Sequence, residues 1–416
     1  MDKQDSASGF DPVKLAHIAP MLQSVVDAGD LSGFVTLIFH RAGVAQLNTI
    51  GYRDLATKAP MTRDTLFRIA SMTKPVTSVA ALMLMEEGKL KLSDPITKWA
   101  PEFADLQVLR KADGPIEDTY PAPRAITIED LFTHRSGFAY AFSSIGPIAK
   151  AYDKALGDVL NNDIDPDAWL KALATLPLTY APGERFHYSV STDVLGFIVG
   201  RIEKKPFRDV LMERLFKPLG MTDTDFYVPK DKRGRAAVVY RQDPDSGALN
   251  VLPFAQRDVP PRFTGGGGGL ISTADDYLKF ARMLLNKGEL DGRRYLKPET
   301  VQLMCTNRLT PEQRAIPFLG ALPMWEGMGF GLGVSIVDNP EKLGFFGMGA
   351  KGAFGWPGAF GTWWQADPAN DLIILYLIQN SVPLDPGAMA TLATGQRMGG
   401  RAALPMFQRL VYDALR

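Results

Sequence analysis

The pattern of hydrophobic and polar positions is strand-like at both ends of the chain and helical in between. Pro20, Met21, Leu22, Val25 and Val26 recur at helical spacing, as one apolar helix face requires. Gly33 then opens FVTLIFHRAG, a run rich in β-branched residues that predicts a strand. Arg41 to Gly43 read as a hairpin turn, and VAQLNTIGY follows as the second strand. Toward the other end, GFGLGVSIV, AFGTWWQAD and DLIILYLIQN are again strand-like, with a turn at Asp367 to Asn370 and a last helix from about Leu404 to Leu415. The stretch between contains SMTKPVTSVAALMLMEEGKL and ISTADDYLKFARMLLNKGEL, with Gly88 and Gly288 where helices stop. The expected fold is α+β: an antiparallel sheet from residues 1–70 and 320–416, a mostly helical region over 71–319, and an active-site cleft between them in one continuous domain.

Composition narrows the function without naming it. With 416 residues and 46% hydrophobic content the chain can bury a large core. Lys plus Arg equals Asp plus Glu at 46 each, so nothing in the charge favours nucleic acid or an anionic membrane. A small-molecule substrate fits better. Cys305 is the one cysteine, so no internal disulfide is possible, and no second cysteine or HExxH stands at zinc-ligand spacing. No metal and no cofactor are expected. MDKQDSASGFDPVKLAHIAP lacks the basic, apolar and small-residue parts of a signal peptide, and a cytoplasmic location is expected. Five glycines at 265 to 269 do not end in Lys-Ser/Thr as a P-loop would, so close backbone packing or a mobile loop edge is the better reading.

The segment that carries chemistry is LFRIASMTKPVTSVAALMLMEEG. Ser71 stands where a short strand-like run meets a long apolar helix, and Lys74 lies three residues on, on the same face. A serine hydroxyl is a poor nucleophile until a neighbouring base takes its proton, and a neutral lysine amine can be that base. Free lysine titrates near ~10.4, so a neutral amine at pH 7 requires a shift of ~3 units. Burial against the apolar helix, away from carboxylates, is expected to supply it. The helix start also aims the Ser71 N–H at a developing oxyanion. By itself, this spacing reads first as a helix cap with a surface lysine.

Two downstream segments supply partners. APGERFHYSVSTDVLGFIVGRIE delivers Tyr188 just before an apolar helix, where its hydroxyl can relay the serine proton to a leaving group; alone, Tyr188 could be a core aromatic. In FGWPGAFGTWWQAD, an edge strand bearing Gly358 would leave room for substrate against backbone, and the Ala359 N–H can be the second oxyanion donor; otherwise the segment is a tight aromatic turn.

Taken together, SMTK at 71 to 74, LFTHRSG around His134 and Gly137, YSV at 188 to 190, GGGGGLISTADDY from 265 and WPGA at 356 to 359 resemble the serine β-lactamase and penicillin-binding-protein superfamily, and within it the family VIII carboxylesterases. The resemblance implies a β-lactamase/transpeptidase-like fold. It implies Ser71 as nucleophile, Lys74 and Tyr188 as the general-base pair, and the N–H groups of Ser71 and Ala359 as the oxyanion hole. Two positions depart from the β-lactamase pattern: Val190 stands where an Asn is usual, and Trp356 where the third motif begins with Lys. Both missing groups suit the amide and carboxylate of a β-lactam. Val190, Trp356 and Gly358 would instead line a site for a neutral ester with an apolar or aromatic acyl group. The expectation is a serine carboxylesterase acting through an acyl-enzyme. A transesterase, an amide hydrolase or a β-lactamase of the same superfamily is the alternative, and a non-catalytic binder would have no need of Ser71, Lys74 and Tyr188 together.

Competing mechanisms find little support. There is no GxSxG nucleophile elbow. Of the four histidines, His17 and His40 read as structural, His134 as a brace for its loop, and His187 as a neighbour of Tyr188 that points elsewhere. The segment from about 100 to 180 is expected to shape the acyl pocket.

Overall fold

The computed structural model describes residues 9–41, 43–243, 246–344, 347–381 and 402–416. Its centre is an eight-stranded sheet drawn from both parts of the chain: β1 (Gly33–His40), β2 (Gly43–Asp54), β3 (Ala59–Pro60), β4 (Met328–Phe330), β5 (Ser335–Val337), β6 (Phe354–Pro357), β7 (Trp363–Asp367) and β8 (Leu372–Leu377). The order is β4-β5-β6-β7-β8-β1-β2-β3, antiparallel throughout. The β1–β8 pairing joins the two parts, with Val35 opposite Leu377 and His40 opposite Leu372.

Alternation along β1 explains why all eight of its residues are buried. Val35, Leu37 and Phe39 face the main core, whereas Phe34 and Ile38 face a second core. That second core holds Ile18 and Leu22 of α1 (Ile18–Asp27) and Phe407 and Val411 of the last helix, Ala403–Ala414. On the opposite face, the helix Ala274–Leu285, capped by Thr273, packs on β1, β7 and β8. α2 (Thr73–Glu86), apolar around most of its circumference and therefore buried, packs on the helix Ser191–Glu203. Glycine stops two helices as expected: Gly88 and Gly288 have φ of +72° and +90°.

The strand expectations need three corrections. GFGLGVSIV is a hairpin, because Phe330 pairs with Ser335 and Gly333 turns the chain at φ +90°. A Cβ on Gly333 would lie 2.1 Å from Ser78 Oγ, so the turn docks directly on α2. AFGTWWQAD becomes strand only at Trp363, the preceding residues forming a turn. WPGA lies at the end of an inner strand: β6 runs between β5 and β7, but β5 pairs only with Phe354 and Gly355, so Trp356 and Pro357 pair with β7 alone. Of the expected Arg41–Gly43 turn, Arg41 sits at φ +54° and Ala42 lies outside the described residues. The Asp367–Asn370 turn forms, closed by Asn370 N–H to Asp367 carbonyl at 3.2 Å. Among the described residues no helix is long and apolar enough to cross a membrane.

Candidate active site

Phe67–Arg68 pairs with Ile271–Ser272, and the chain then enters a single 3₁₀ turn, Ala70–Met72, that leads into α2. Ala70 is held at φ +43°, a left-handed conformation that costs a non-glycine residue about 1–2 kcal/mol. The surroundings enforce it. Ile69 N–H donates to Leu270 carbonyl at 3.0 Å, Leu270 N–H donates to Thr73 Oγ1 at 3.1 Å, and Tyr277 O–H donates to Met72 carbonyl at 2.9 Å. The strained turn leaves Ser71 half-buried, with its side chain above the fully buried Lys74.

Lys74 Nζ has three neighbours: Ser71 Oγ at 3.2 Å, Tyr140 Oη at 3.1 Å and the Gly267 carbonyl at 2.6 Å. The amine also lies 4.6 Å from the centre of the Tyr188 ring. The sequence placed Tyr188's hydroxyl beside the lysine; the structure places its ring there. Tyr188 Oη accepts instead from Trp356 Nε1 at 3.1 Å.

Behind these groups stands a carboxylate. Asp193, 1% exposed, accepts from Gly267 N–H at 2.8 Å and from Tyr140 O–H at 3.3 Å. Burial holds its pKa above the usual carboxylate value, opposed by the nearby Lys74 charge and the Gly267 N–H. Tyr140 is pushed well above an ordinary phenol by burial and by Asp193, so it stays protonated. The lysine is therefore not set apart from carboxylates, as the sequence suggested, but screened from one by a tyrosine and a peptide unit. The glycine run makes this possible: a Cβ on Gly267 would sit 2.4 Å from Asp193 Oδ2, and one on Gly266 2.6 Å from the Thr192 carbonyl. Close packing is thus what the glycines serve.

Sequence reasoning missed Tyr140, Asp193 and Gly267. The signal for Asp193 was present, as a carboxylate in the first turn of the apolar helix Ser191–Glu203.

On the other side of Ser71, the turn after β6 brings in the candidate oxyanion donors. Gly358 N–H donates to Thr362 carbonyl at 2.7 Å, and Thr362 Oγ1 donates to Ile69 carbonyl at 3.3 Å, locking the turn to the Ser71 loop. Within the described structure, no protein acceptor takes the N–H of Ser71 or of Ala359. Three expected substrate-binding residues do different work. Gly358 is buried and permits contact, since a Cβ there would lie 2.4 Å from Ile69 carbonyl oxygen. Trp356, at 1% exposure, is a support for Tyr188 rather than a face for substrate. Val190 is equally buried and precedes the helix Ser191–Glu203 as its N-cap. For Trp356 and Val190 the side-chain type was read correctly but its direction was not.

The buried histidines are neutral braces. His134 Nδ1 accepts the Ser189 N–H at 3.3 Å, and its ring lies 4.8 Å from that of Tyr188. Burial, then the charge of Lys74, holds its pKa well below 6.5. His187 is lowered by burial to about 3 and packs edge-on against Tyr180.

Known proteins share this arrangement of chain. The sequence pattern described as Beta-lactamase matches residues 18–396. The chain belongs to the Beta-lactamase family. An uncharacterised member from Mycobacterium tuberculosis is 53% identical over 95% of this chain and 97% of its own length. Esterase EstB of Burkholderia gladioli is 30% identical, covering 89% of this chain and 94% of its own. The solved structure of EstCE1, a hydrolase with promiscuous acyltransferase activity, superposes with a TM-score of 0.74 at 24% identity, over 91% of this chain and 98% of that one. The fold is thus β-lactamase/transpeptidase-like, and the motif resemblance to family VIII carboxylesterases agrees with these relatives.

Proposed function

We propose that the chain is a carboxylic ester hydrolase working through an acyl-enzyme on Ser71. The observation that carries this reading is the Lys74 amine, fully buried and 3.2 Å from Ser71 Oγ. The Gly267 carbonyl can only accept, so it takes one amine hydrogen. Tyr140, donating its own proton to Asp193, accepts another. Once the amine has given up its third proton, its remaining position is a lone pair directed at the Ser71 hydroxyl. Ser71 attacks the ester carbonyl carbon while its proton passes to Lys74, and the oxyanion is received by the N–H groups of Ser71 and Ala359. Lys74, having taken the Ser71 proton, gives it to the departing alkoxide, while Tyr188 Oη, which accepts from Trp356, keeps its own hydrogen to donate to the substrate. Water then attacks the acyl carbonyl by the reverse proton path, releasing acid and restoring Ser71.

The esterase relative EstB supports this substrate class, as does the absence at 190 and 356 of the Asn and Lys that a β-lactamase carries. Acyl transfer to an alcohol is the second reading, favoured by the promiscuous acyltransferase activity of the structural relative EstCE1. The test is turnover of 4-nitrophenyl butyrate and of nitrocefin by wild type and Ser71→Ala, with mass spectrometry of the acylated protein. We expect ester turnover far above nitrocefin turnover, an acyl group on Ser71, and loss of ~10²–10⁴-fold in Lys74→Ala. Full activity in Ser71→Ala, or faster nitrocefin turnover, defeats the proposal. Added methanol that diverts the acyl group into methyl ester would favour the second reading.

A further inference from the structure

Beside the nucleophile lies a cavity of about 570 Å³, within the ~300–1,000 Å³ usual for small-molecule sites. Its walls include Leu160, Val239, Leu252 and Phe254, which pack in one apolar cluster with Ala70 and Ala359. Ala70 and Ala359 thus stand between the cavity and the Ser71 site, which itself contributes no lining residue. From the segment expected to shape the acyl pocket, it takes Val159 to Asn162.

Its charge is one-sided. Four arginines line it against one acidic residue, Asp54, with no lysine or glutamate. Three of the arginines are engaged. Arg53 donates to the carbonyls of Gly234 and Pro60, Arg233 pairs with Asp258, and Arg257 pairs with Asp163. Asp54 is taken up by Thr57 and the Ala56 N–H. Arg68 is different. Its guanidinium rests 4.2 Å from the centre of the Phe254 ring, and among the described residues it has neither a carboxylate partner nor a side-chain hydrogen bond. Burial, aided by Arg257, lowers its pKa to about 10, so it remains charged at neutral pH. Arg68 is half-buried, so its unpaired guanidinium is open to a ligand, and a planar fork over an aromatic ring suits a carboxylate.

We infer that this cavity binds the carboxylate of an acidic ester, with Arg68 as its recognition group and Leu160 and Phe254 holding the apolar part. The inference rests on the ester-hydrolase reading, and it replaces the neutral ester suggested by the sequence with one carrying an acid remote from the scissile bond.

Calorimetric titration of 4-phenylbutyrate and of uncharged 4-phenylbutanamide into the whole protein reads the site without any turnover. The acid is expected to bind about 10- to 100-fold tighter than the amide, the range for a charge-assisted pair. Arg68→Gln should erase that difference, and Arg68→Lys, which keeps the charge without the fork, should keep part of it. Thermal melting checks both variants; should Arg68→Gln fail to fold, Arg68→Lys carries the comparison. In parallel, kcat/KM for 4-nitrophenyl hydrogen glutarate against 4-nitrophenyl valerate tests an acid on the acyl side. Acetate release from 4-acetoxybutanoate against pentyl acetate tests the alcohol side. A preference in either pair that collapses in Arg68→Gln supports the inference. Equal binding of acid and amide, or a difference that survives unchanged in both variants, overturns it. Acid binding through Arg68 with no ester able to acylate Ser71 would uphold this site while sinking ester hydrolysis.

Discussion

Asp193 offers the sharpest test of how the site is held together. Replacing it by Asn keeps the shape and removes the charge. The amide oxygen can still accept the Gly267 N–H now bonded at 2.8 Å. The amide NH₂ then faces Tyr140 Oη and donates to it, so Tyr140 must send its own proton elsewhere. The acceptor within reach is Lys74 Nζ, 3.1 Å away. Tyr140 thereby competes with Ser71 for the amine lone pair. A hydrogen bond between neutral groups contributes about 0.5–1.5 kcal/mol, so diverting the base should lower kcat by roughly 2- to 10-fold. Because the change acts on proton transfer and not on binding, KM should move by no more than about threefold.

Stability should respond differently. Asp193's pKa is raised by burial, so the folded state holds its proton more tightly than the unfolded chain. Wild-type stability then declines as pH climbs from the unfolded value near ~3.9 to the folded one, and the charged form is a cost that Asn does not carry. Asp193→Asn should thus lose activity with little loss of stability. Asp193→Ala, which leaves the buried Gly267 N–H without its acceptor, should lose about 2–4 kcal/mol as well. Steady-state hydrolysis of 4-nitrophenyl butyrate and guanidinium unfolding at pH 7 measure both quantities. An Asp193→Asn protein with wild-type kcat would refute the proposed hydrogen-bond chain.

Two further predictions concern the supports of the site. In Gly358→Ala the new Cβ would meet Thr362 Oγ1 at 2.1 Å and Ile69 carbonyl oxygen at 2.4 Å, so the Ala359 N–H should be displaced. Losing one oxyanion donor costs about 10²–10³ in kcat, and a drop of less than about threefold would show that Ala359 is not such a donor. His134 and His187 are both lowered by burial, His187 to about 3. Unfolding therefore takes up protons below the unfolded value near ~6.5, and stability should fall with falling pH by about 1.4 kcal/mol per unit for each ring. Guanidinium melts between pH 6 and pH 4 should show this slope, shallower by about half in His187→Phe; a flat profile in wild type would contradict the assignment.

The sequence carried the backbone logic of the site further than its side-chain directions. Ser71 and Lys74 share one stretch of chain, so their spacing alone placed amine and hydroxyl together. The strands at both ends were legible because their apolar runs are long and β-branched. Tyr140, Asp193 and Gly267 come from three segments far apart in the chain, and only packing joins them. Val190 and Trp356 were misread because residue type does not tell which way a side chain faces when almost every neighbour is apolar. GFGLGVSIV was misread because its apolar content masks three glycines, one of which reverses the chain.

The joining of β1 to β8 also sets a timetable for synthesis. His40 leaves the ribosome more than three hundred residues before Leu372, its partner in the sheet. At the usual ~5–20 residues per second, that interval is roughly 15–65 s. Throughout it, one side of an eight-residue apolar strand has no native hydrogen-bond partner. β2 covers only the opposite edge of β1, so in nascent chains of this protein the edge that awaits β8 is open to pairing with another chain.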